Sequence, residues 1–223
     1  MIKPNSLNLP KFFKQKYSHF ESLTPIQEKT VNAGLLKEKS ILACAPTASG
    51  KTLVATMAIA NILKQNEEES TNHKTIYLVP LKALASEKYK EYQSLLTNTP
   101  HKVAMATGDI DSPQPFLEKA DLLILTTEKL DSLMRHSVSW LKNVKTVVID
   151  EIHLLNDPSR GPTLEIVLTI LKERIKPQLI GLSATIGNPE VLASWLDATL
   201  VQDSWRPVTL KKGTYINKEL KFY

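Results

Sequence analysis

The sequence holds a single cysteine, Cys44, and no long uninterrupted apolar run. One cysteine excludes an intrachain disulfide, and the apolar residues around Cys44 predict that it is a small core residue. A membrane-spanning helix needs about 20 consecutive, mostly apolar residues, which no stretch of the chain provides. The first residues, Met1 to Asn5, also lack the apolar centre of a signal peptide. We therefore expect an intracellular, soluble, cytoplasmic protein with no membrane partner.

The composition is that of an ordinary globular protein. Of the 223 residues, 42% are apolar and 23% are charged, which is enough for one large domain with a buried core. Lysine and arginine total 28 against 23 aspartates and glutamates, so the formal net charge is +5. This modest basic excess is compatible with a nucleic-acid partner, and equally with a mildly basic protein that has none.

Residues 45–52 form a candidate phosphate-binding loop. They follow an apolar run at 40–44 and precede a helix-like run, so strand, tight loop and helix come in the required order. In such a loop, backbone N–H groups and the helix N-terminus hold phosphate oxygens, and Gly50 lets the backbone approach them. Lys51 places a charge on the outer phosphates, and the Thr52 hydroxyl can ligate Mg²⁺. The predicted nucleotide-binding residues are Ala45, Pro46, Thr47, Ala48, Ser49, Gly50, Lys51 and Thr52.

The general template begins with glycine where this chain has Ala45. A turn rich in serine and glycine that happens to precede a helix is therefore the alternative for this loop.

A second signal is an apolar run that ends in two carboxylates, Asp150 and Glu151. A phosphate loop leaves its metal ion in need of a carboxylate from a neighbouring strand. Asp150 would hold Mg²⁺ directly or through water, and Glu151 would orient and deprotonate the attacking water. A solvated acidic turn is the alternative, which the presence of the phosphate loop disfavours. Together the two segments predict a site that hydrolyses ATP or GTP, with Lys51, Asp150 and Glu151 as catalytic residues.

Short apolar segments alternate with amphipathic ones, which predicts βαβ units. The expected fold is α/β, with a mainly parallel sheet covered by helices on both faces. A capping box, with Thr24 as N-cap and Gln27 three residues later, begins one helix. Predicted strands cover 40–44, 74–79, 102–106, 121–125, 145–149, 178–182 and 199–202. Predicted helices cover 11–20, 26–36, 53–65, 81–96, 127–135, 164–175 and 189–197. Loops are predicted at 67–72 and 108–119, and the stretch 207–223 shows little pattern.

The sequence Asp150-Glu151-Ile152-His153 resembles the D-E-x-H box of superfamily 2 helicases. Residues 45–52 fit the A-x-x-x-x-G-K-T form usual in that family, which accounts for Ala45. Five more stretches resemble the family's motifs for adenine reading, for backbone contact and for coupling hydrolysis to strand movement. The stretch 23–27 resembles the adenine-reading motif, and 183–185 resembles the coupling motif. The motifs for backbone contact are resembled by 78–85, 107–109 and 126–130. The stretches that resemble the Ski-type branch, and within it the archaeal DNA repair helicases, are 108–111, 128–133, 160–165 and 204–208.

The resemblance implies a three-layer RecA-like P-loop NTPase domain and further site residues. Gln27 would read adenine, although the capping box already explains its presence. His153 would couple the ATP site to Ser183 and Thr185, and an ordinary core or surface histidine is its alternative. Contacts to nucleic-acid phosphates, which carry no sequence information, are implied for Pro80, Lys82, Thr107, Gly108, Thr126, Thr127 and Lys129. A helix N-cap is the alternative for each of these threonines, and a helix-surface lysine for Lys82.

Arginine is scarce, and the four arginines are Arg135, Arg160, Arg174 and Arg206. None lies in the Q-x-x-G-R-x-x-R-like motif with which the second motor domain of such helicases stabilises the transferring phosphoryl group. We therefore predict a lead-in helix in 1–22, a RecA-like ATP-binding domain in 23–206, and in 207–223 the start of a linker. That linker would lead to an absent second RecA-like domain, supplied in cis or in trans by a longer protein or a split gene.

The predicted function is the N-terminal motor domain of an ATP-dependent 3′-to-5′ DNA helicase that uses ATP and Mg²⁺ on single-stranded or forked DNA. An RNA helicase of the same branch is one alternative, and a catalytically silent nucleic-acid-binding module is another. Alone, the chain is expected to bind nucleotide weakly, to hydrolyse it very slowly and to unwind nothing.

Overall fold

The central element of the protein is a parallel β-sheet. In the computed structural model, which describes residues 1–108, 115–209, 211, 213–216 and 219–222, seven strands form it. They are β1 (Ile41–Cys44), β2 (Lys74–Val79), β3 (Val103–Ala106), β4 (Leu122–Thr126), β5 (Val144–Ile149), β6 (Gln178–Ser183) and β7 (Thr199–Gln202). The strands lie in the order β3-β4-β2-β5-β6-β1-β7, and each neighbouring pair is parallel. The predicted α/β fold with a mainly parallel sheet is confirmed.

Helices connect these strands, because parallel neighbours need a crossover rather than a tight hairpin. Within the described residues they are α1 (Lys11–Tyr17), α2 (Pro25–Asn32), α3 (Lys51–Glu69), α4 (Lys82–Leu95), α5 (Pro115–Glu118), α6 (Thr127–Arg135), α7 (Gly161–Ile170) and α8 (Pro189–Trp195). Short 3-10 turns and one π-helical turn, Leu171–Ile175, complete the connections. Within the same ranges, no helix combines the length and the apolar character that crossing a bilayer requires.

Alternate strand residues enter two different cores, one on each face of the sheet. In β1, Ile41 and Ala43 pack in the core that α1, α2, α3 and α4 cover, whereas Leu42 and Cys44 pack in the core under α5, α6, α7 and α8. Cys44 is buried as predicted, and burial raises the pKa of its thiol to about 11. Helices on both faces of one sheet give the three layers that the sequence predicts.

Several predicted helix bounds are wrong: α1 ends at Tyr17 rather than at residue 20, α7 begins at Gly161 rather than at residue 164, and the ends of α2 and α3 each differ by four residues. Helix α3 continues through Glu69, so the glutamates of the predicted polar loop belong to its last turns. Glutamate favours helix, and Glu67 Oε1 also lies 2.9 Å from His101 Nε2. Helix α2 ends at Asn32, because Gly34 adopts a left-handed conformation with φ +105° and the chain turns there.

The predicted loop at 108–119 is described only in part. Residues 109–114 lie outside the described residues, and so do parts of the helicase-like motifs at 107–109 and 108–111. Beyond them, Pro115–Glu118 forms the short helix α5 rather than a loop.

A separate hairpin follows the sheet. Strands β8 (Gly213–Ile216) and β9 (Glu219–Phe222) pair antiparallel, and all of their residues are exposed. The sequence analysis missed both strands in the stretch 207–223. Residues 210, 212, 217, 218 and 223 lie outside the described residues, and the role of this stretch as a linker stays a prediction.

Candidate active site at the carboxyl edge of the sheet

Three neighbouring strands bring the predicted chemical groups to one edge of the sheet. Strand β6 lies between β1 and β5, so the segments that follow these strands leave the sheet side by side. The backbone N–H of Ala45, after β1, donates to the Ser183 carbonyl at the end of β6 over 3.2 Å. Ligands bind at the carboxyl edge in open α/β sheets. The topology thus unites segments that lie more than a hundred residues apart in the chain.

The phosphate-binding loop adopts the tight backbone that its sequence predicts. Ala48 and Gly50 are both left-handed, with φ of +65° and +93°. A Cβ on Gly50 would lie 2.3 Å from Gln27 Nε2, closer than any side chain permits. The backbone angle favours glycine at position 50, and a larger residue there would also displace the side-chain amide of Gln27.

Gln27 holds the loop from the start of α2. Its Oε1 accepts a hydrogen bond from the Thr24 N–H, and its Nε2 donates to the Gly50 carbonyl, both over 2.9 Å. The Thr24 hydroxyl donates to the Ser49 carbonyl, also over 2.9 Å. The predicted capping box is confirmed, and Gln27 is buried in it. An adenine contact by Gln27 stays a prediction, whereas its clamp on the loop was not foreseen.

Lys51 spans the loop from the first turn of α3. Its Nζ donates to the Ala45 and Pro46 carbonyls over 2.6 and 2.9 Å. Burial lowers the pKa of Lys51, and the negative charges of Glu151 and Asp150 act in the opposite direction. The two carboxylates that follow β5 thus lie within electrostatic reach of the loop lysine.

The surroundings of the loop fit a nucleotide phosphate. The Ser49 hydroxyl is buried and has no hydrogen-bond partner among the described residues, so it is an available group inside the loop. Helix α3 begins at Lys51, directly after Gly50, and the first N–H groups of a helix have no partner within the helix, so they suit an anion. These residues would hold the phosphates, and Lys51 would supply a positive charge.

Asp150 and Glu151 have different surroundings. Asp150 Oδ2 accepts from the Tyr77 hydroxyl over 3.0 Å, and its Oδ1 accepts from the Glu151 N–H over 3.1 Å. Glu151 is left-handed, with φ 52° and ψ 44°, a conformation that costs a non-glycine residue about 1 kcal/mol or more. Its side chain is 46% exposed. Asp150 is therefore fixed, whereas the Glu151 carboxylate is accessible to water.

Comparison with known proteins agrees with this geometry. A family model described as DEAD/DEAH box helicase matches residues 24–192. The chain belongs to the DEAD/DEAH box helicase family. The family's phosphate loop and acidic box are the segments that the sheet unites, and the predicted resemblance to superfamily 2 helicases is confirmed.

Individual helicases are similar over most of the chain. The ATP-dependent DNA helicase Hel308 of Methanococcus vannielii is 51% identical over 203 residues, which cover 91% of this chain and 27% of that protein. Hel308 of Methanocaldococcus jannaschii is 53% identical over 201 residues, which cover 90% of this chain and 17% of that protein. These similarities confirm the resemblance to archaeal DNA helicases, and this chain spans less than a third of either relative.

A solved structure supports the fold of the helicase domain. The crystal structure of the DUF1998 helicase MrfA bound to DNA matches with a TM-score of 0.74 and 26% sequence identity. The match covers 88% of this chain and 30% of the MrfA chain. The RecA-like architecture implied by the resemblance is thereby confirmed.

The oxygen donors of the helicase site suit Mg²⁺. Thr52 offers a hydroxyl and Asp150 a carboxylate, and Mg²⁺ typically takes one or two carboxylates together with phosphate oxygens and water. Within the described ranges, no group of three or more histidine, cysteine or acidic side chains gathers to hold a metal. A small oxygen donor set that depends on the nucleotide is consistent with that finding.

The predicted coupling residues are only partly brought together. His153 Nδ1 lies 3.4 Å from Glu151 Oε2, within ion-pair range, and has no hydrogen-bond partner in the part of the chain that is described. The Ser183 hydroxyl is buried and, within the same part, also lacks a partner. Thr185 is exposed. His153 therefore lies beside the Glu151 carboxylate, and its coupling to Ser183 and Thr185 stays a prediction.

The predicted nucleic-acid contacts divide into exposed and buried groups. Lys82 is exposed at the start of α4, and a Cβ on Gly108, which has φ +81°, would lie 3.3 Å from Lys82 Nζ. Thr107 is half-buried next to them. In contrast, Thr126 and Lys129 have buried side chains, and Thr126 Oγ1 accepts from the Lys129 N–H over 3.4 Å as the N-cap of α6. The N-cap alternative therefore holds for Thr126, and its side chain and that of Lys129 do not face solvent.

One small pocket connects the carboxylates with the remaining predicted contacts. Pro80 after β2 and Thr127 at the first turn of α6 line it together with Asp150, Glu151 and Arg160. The end of β2 and the N-terminus of α6 therefore lie next to the acidic box, where an ATP site and a nucleic-acid site would meet.

Sequence reasoning missed Thr24 and Tyr77 as parts of the site. The sequence predicts Thr24 as the N-cap of a helix, and in the structure its hydroxyl also donates to the Ser49 carbonyl of the loop. Tyr77 lies in a strand whose every residue is buried, where its hydroxyl needs a partner. The signal that could have identified Tyr77 is a tyrosine flanked by apolar residues in a strand, two residues before the strand's carboxyl end.

Proposed function

We propose that the chain is the first motor domain of an ATP-dependent DNA helicase that moves 3′ to 5′ along single-stranded DNA. In this proposal, residues 23–206 bind ATP, residues 1–22 lead into that domain, and residues 207–223 begin the link to a second RecA-like domain. The observation that carries the proposal is the strand order, in which β6 lies between β1 and β5 and so brings the loop 45–52 and the pair Asp150 and Glu151 to one edge of the sheet. Such an arrangement would offer positions for the phosphates, the metal ion and the attacking water of a nucleotide hydrolase.

The residues would divide the reaction among them. The loop 45–52 binds the phosphates, and Thr52 and Asp150 hold Mg²⁺, which when bound neutralises charge on the phosphate oxygens. Lys51 adds a positive charge beside the transferred group. Glu151 orients the attacking water and accepts its proton at the side-chain carboxylate, which is exposed enough to meet that water.

The second motor domain would supply what this sequence lacks. Arginines that stabilise the transferring phosphoryl group are worth about a thousandfold or more in rate. None of the four arginines of this chain lies in a motif of that kind. The isolated chain should therefore bind nucleotide with little hydrolysis.

DNA is proposed as the substrate because of the relatives. The two archaeal relatives are named ATP-dependent DNA helicases, and the similar MrfA structure is bound to DNA. The exposed Lys82, with the half-buried Thr107 and Gly108 beside it, offers a cation and backbone groups to phosphates, and such contacts serve for any nucleic-acid sequence. A contact that distinguishes DNA from RNA would involve the 2′-hydroxyl.

The test compares the chain alone with the chain joined to a second motor domain. Alone, it should bind a fluorescent ATP analogue in the presence of Mg²⁺ and hydrolyse ATP very slowly. Joined, it should show ATP hydrolysis that single-stranded DNA stimulates more than RNA of the same sequence. Stronger stimulation by RNA would favour an RNA helicase, and no nucleotide binding by either form would contradict the proposed site. Strand separation by the isolated chain would contradict the need for a second domain.

A further inference from the structure

Tyr77 reaches the acidic box from the neighbouring strand. It lies in β2, opposite Val148 of β5, and its ring is fully buried. Its hydroxyl donates to Asp150 Oδ2 over 3.0 Å. The backbone also joins the two strands at this point, since the Asp150 N–H donates to the Leu78 carbonyl over 3.0 Å. A phenol from one strand thus holds the carboxylate at the end of the next.

Both oxygens of the Asp150 carboxylate are fixed by hydrogen bonds. Tyr77 binds Oδ2, and the Glu151 N–H donates to Oδ1 over 3.1 Å. Two donors on opposite oxygens prevent the carboxylate from rotating about its bond to Cβ. A metal ligand with a fixed orientation binds more tightly, because less freedom is lost when the ion binds.

Packing in turn fixes Tyr77. Its ring lies 5.7 Å from that of Tyr92 in α4, with an angle of 56° between the planes. The Tyr92 hydroxyl lies 3.2 Å from Thr56 Oγ1, and Thr56 donates to the Thr52 carbonyl over 3.1 Å. The side chains behind Thr52 and Asp150 therefore belong to one buried cluster.

We propose that Tyr77 is a positioning residue that orients the Asp150 carboxylate for Mg²⁺. This inference rests on the proposed function, because it assigns Asp150 to the metal. Tyr77 itself touches neither nucleotide nor metal, and it acts only through its bond to Asp150.

The chain offers a matched control in Tyr92. Both tyrosines are buried and their rings are neighbours, but only Tyr77 bonds to a proposed metal-binding group; Tyr92 reaches Thr52 through Thr56 and only at its backbone carbonyl, not at its hydroxyl. Tyr77→Phe and Tyr92→Phe each remove one buried hydroxyl and keep the ring. Thermal melting of each variant would report on the fold. The Mg²⁺ concentration that gives half-maximal binding of a fluorescent ATP analogue would report on the site.

Tyr77→Phe should raise this Mg²⁺ concentration about tenfold, the usual size of an effect behind a metal ligand, while Tyr92→Phe should leave it nearly unchanged. Binding of Mn²⁺ in the presence of the nucleotide, followed by electron paramagnetic resonance, should weaken in Tyr77→Phe and stay nearly unchanged in Tyr92→Phe. In an Asp150→Ala background, Tyr77→Phe should cause no further change, because its partner is gone.

Three results would overturn the inference. Equal shifts in both tyrosine variants would show a general effect of the core, and no shift in either would show that the hydroxyl does not matter. An added effect of Tyr77→Phe in the Asp150→Ala background would show that it acts elsewhere. If the wild-type protein binds the ATP analogue equally well with and without Mg²⁺, the proposed metal site is overturned as well. If wild-type binding depends on Mg²⁺ but Tyr77→Phe needs the same Mg²⁺ concentration, only the positioning role is overturned.

Discussion

The sheet edge has one side that we propose binds nucleotide and another that we propose binds nucleic acid, and the two sides differ in how firmly their side chains are held. At the nucleotide side, Lys51, Asp150 and Gln27 are tied by hydrogen bonds of 2.6 to 3.1 Å to backbone or side-chain groups. At the nucleic-acid side, Lys82 is exposed beside Gly108. A small ligand with one reacting geometry requires fixed groups, whereas a strand that must slide requires contacts that form and break. We therefore expect substitutions on the first side to have large, specific effects and those on the second to have small, salt-dependent ones.

The largest effect is expected at the proposed base. Glu151→Gln keeps the size of the side chain and removes its ability to accept a proton, so ATP hydrolysis should fall by about 10²- to 10⁴-fold. It should be measured as DNA-stimulated hydrolysis by the chain joined to a second motor domain. Nucleotide binding should be unchanged and serves as the control. Hydrolysis that survives this change would show that another group takes the proton.

Removal of the loop cation should affect binding rather than the proton transfer. Lys51→Ala takes away the proposed charged donor to the phosphates, and such hydrogen bonds are worth about 1.5 to 3 kcal/mol. The dissociation constant of an ATP analogue in Mg²⁺ should therefore rise about 10- to 100-fold in a fluorescence titration. Lys142→Ala, at an exposed position before β5, is the control. Equal affinities in the two variants would place the phosphates elsewhere.

The clamp between α2 and the loop can be tested through stability. Gly50→Ala would force a Cβ to within 2.3 Å of Gln27 Nε2 at a φ of +93°, so the free energy of unfolding should fall by about 1 to 3 kcal/mol. Gly187→Ala is the matched control, because a Cβ there would meet nothing within 4 Å. Urea denaturation would measure both. A Gly50→Ala variant as stable as Gly187→Ala would mean that Gln27 moves aside without cost.

The sequence was sufficient to predict the phosphate-binding loop and the two carboxylates, because each is recognised from the order of neighbouring residues in the chain. A loop between strand and helix, and two carboxylates after a strand, have meanings that can be recognised without coordinates, and parallel pairing then brings Ala45 next to Ser183. Tyr77 and the loop contact of Gln27 were not predicted. Both depend on which strands and helices become neighbours, and the sequence does not give the strand order directly.

The sequence also did not predict which polar side chains are buried. Lys129 and Thr126 have the residue types that bind phosphates, but their side chains are buried at the start of α6. Hydroxyl and ammonium groups serve equally well as caps or internal donors, so the residue type alone does not separate the two uses. Lys74 is an example: it is buried in β2, where its Nζ donates to the Glu118 and Ala120 carbonyls over 2.6 Å.

The smallest effect is expected at Lys82, and it bears most directly on the contrast between the two sides. An exposed lysine that contacts one phosphate should contribute about 1 kcal/mol or less, so Lys82→Ala should weaken binding of single-stranded DNA by a few fold. The slope of log affinity against log salt should become shallower by about 0.7, the value for one released counterion on a single strand. Fluorescence anisotropy at several salt concentrations would measure the DNA affinity and its salt slope. Lys142→Ala should change neither the affinity nor the slope. Nucleotide binding should stay at the wild-type level, because Lys82 is exposed and, within the described residues, we find no hydrogen bond or ion pair from its side chain to the loop or the acidic box. A loss of nucleotide affinity in Lys82→Ala would show that Lys82 also contributes to nucleotide binding. The nucleotide and nucleic-acid sides of the sheet edge would then not be separate.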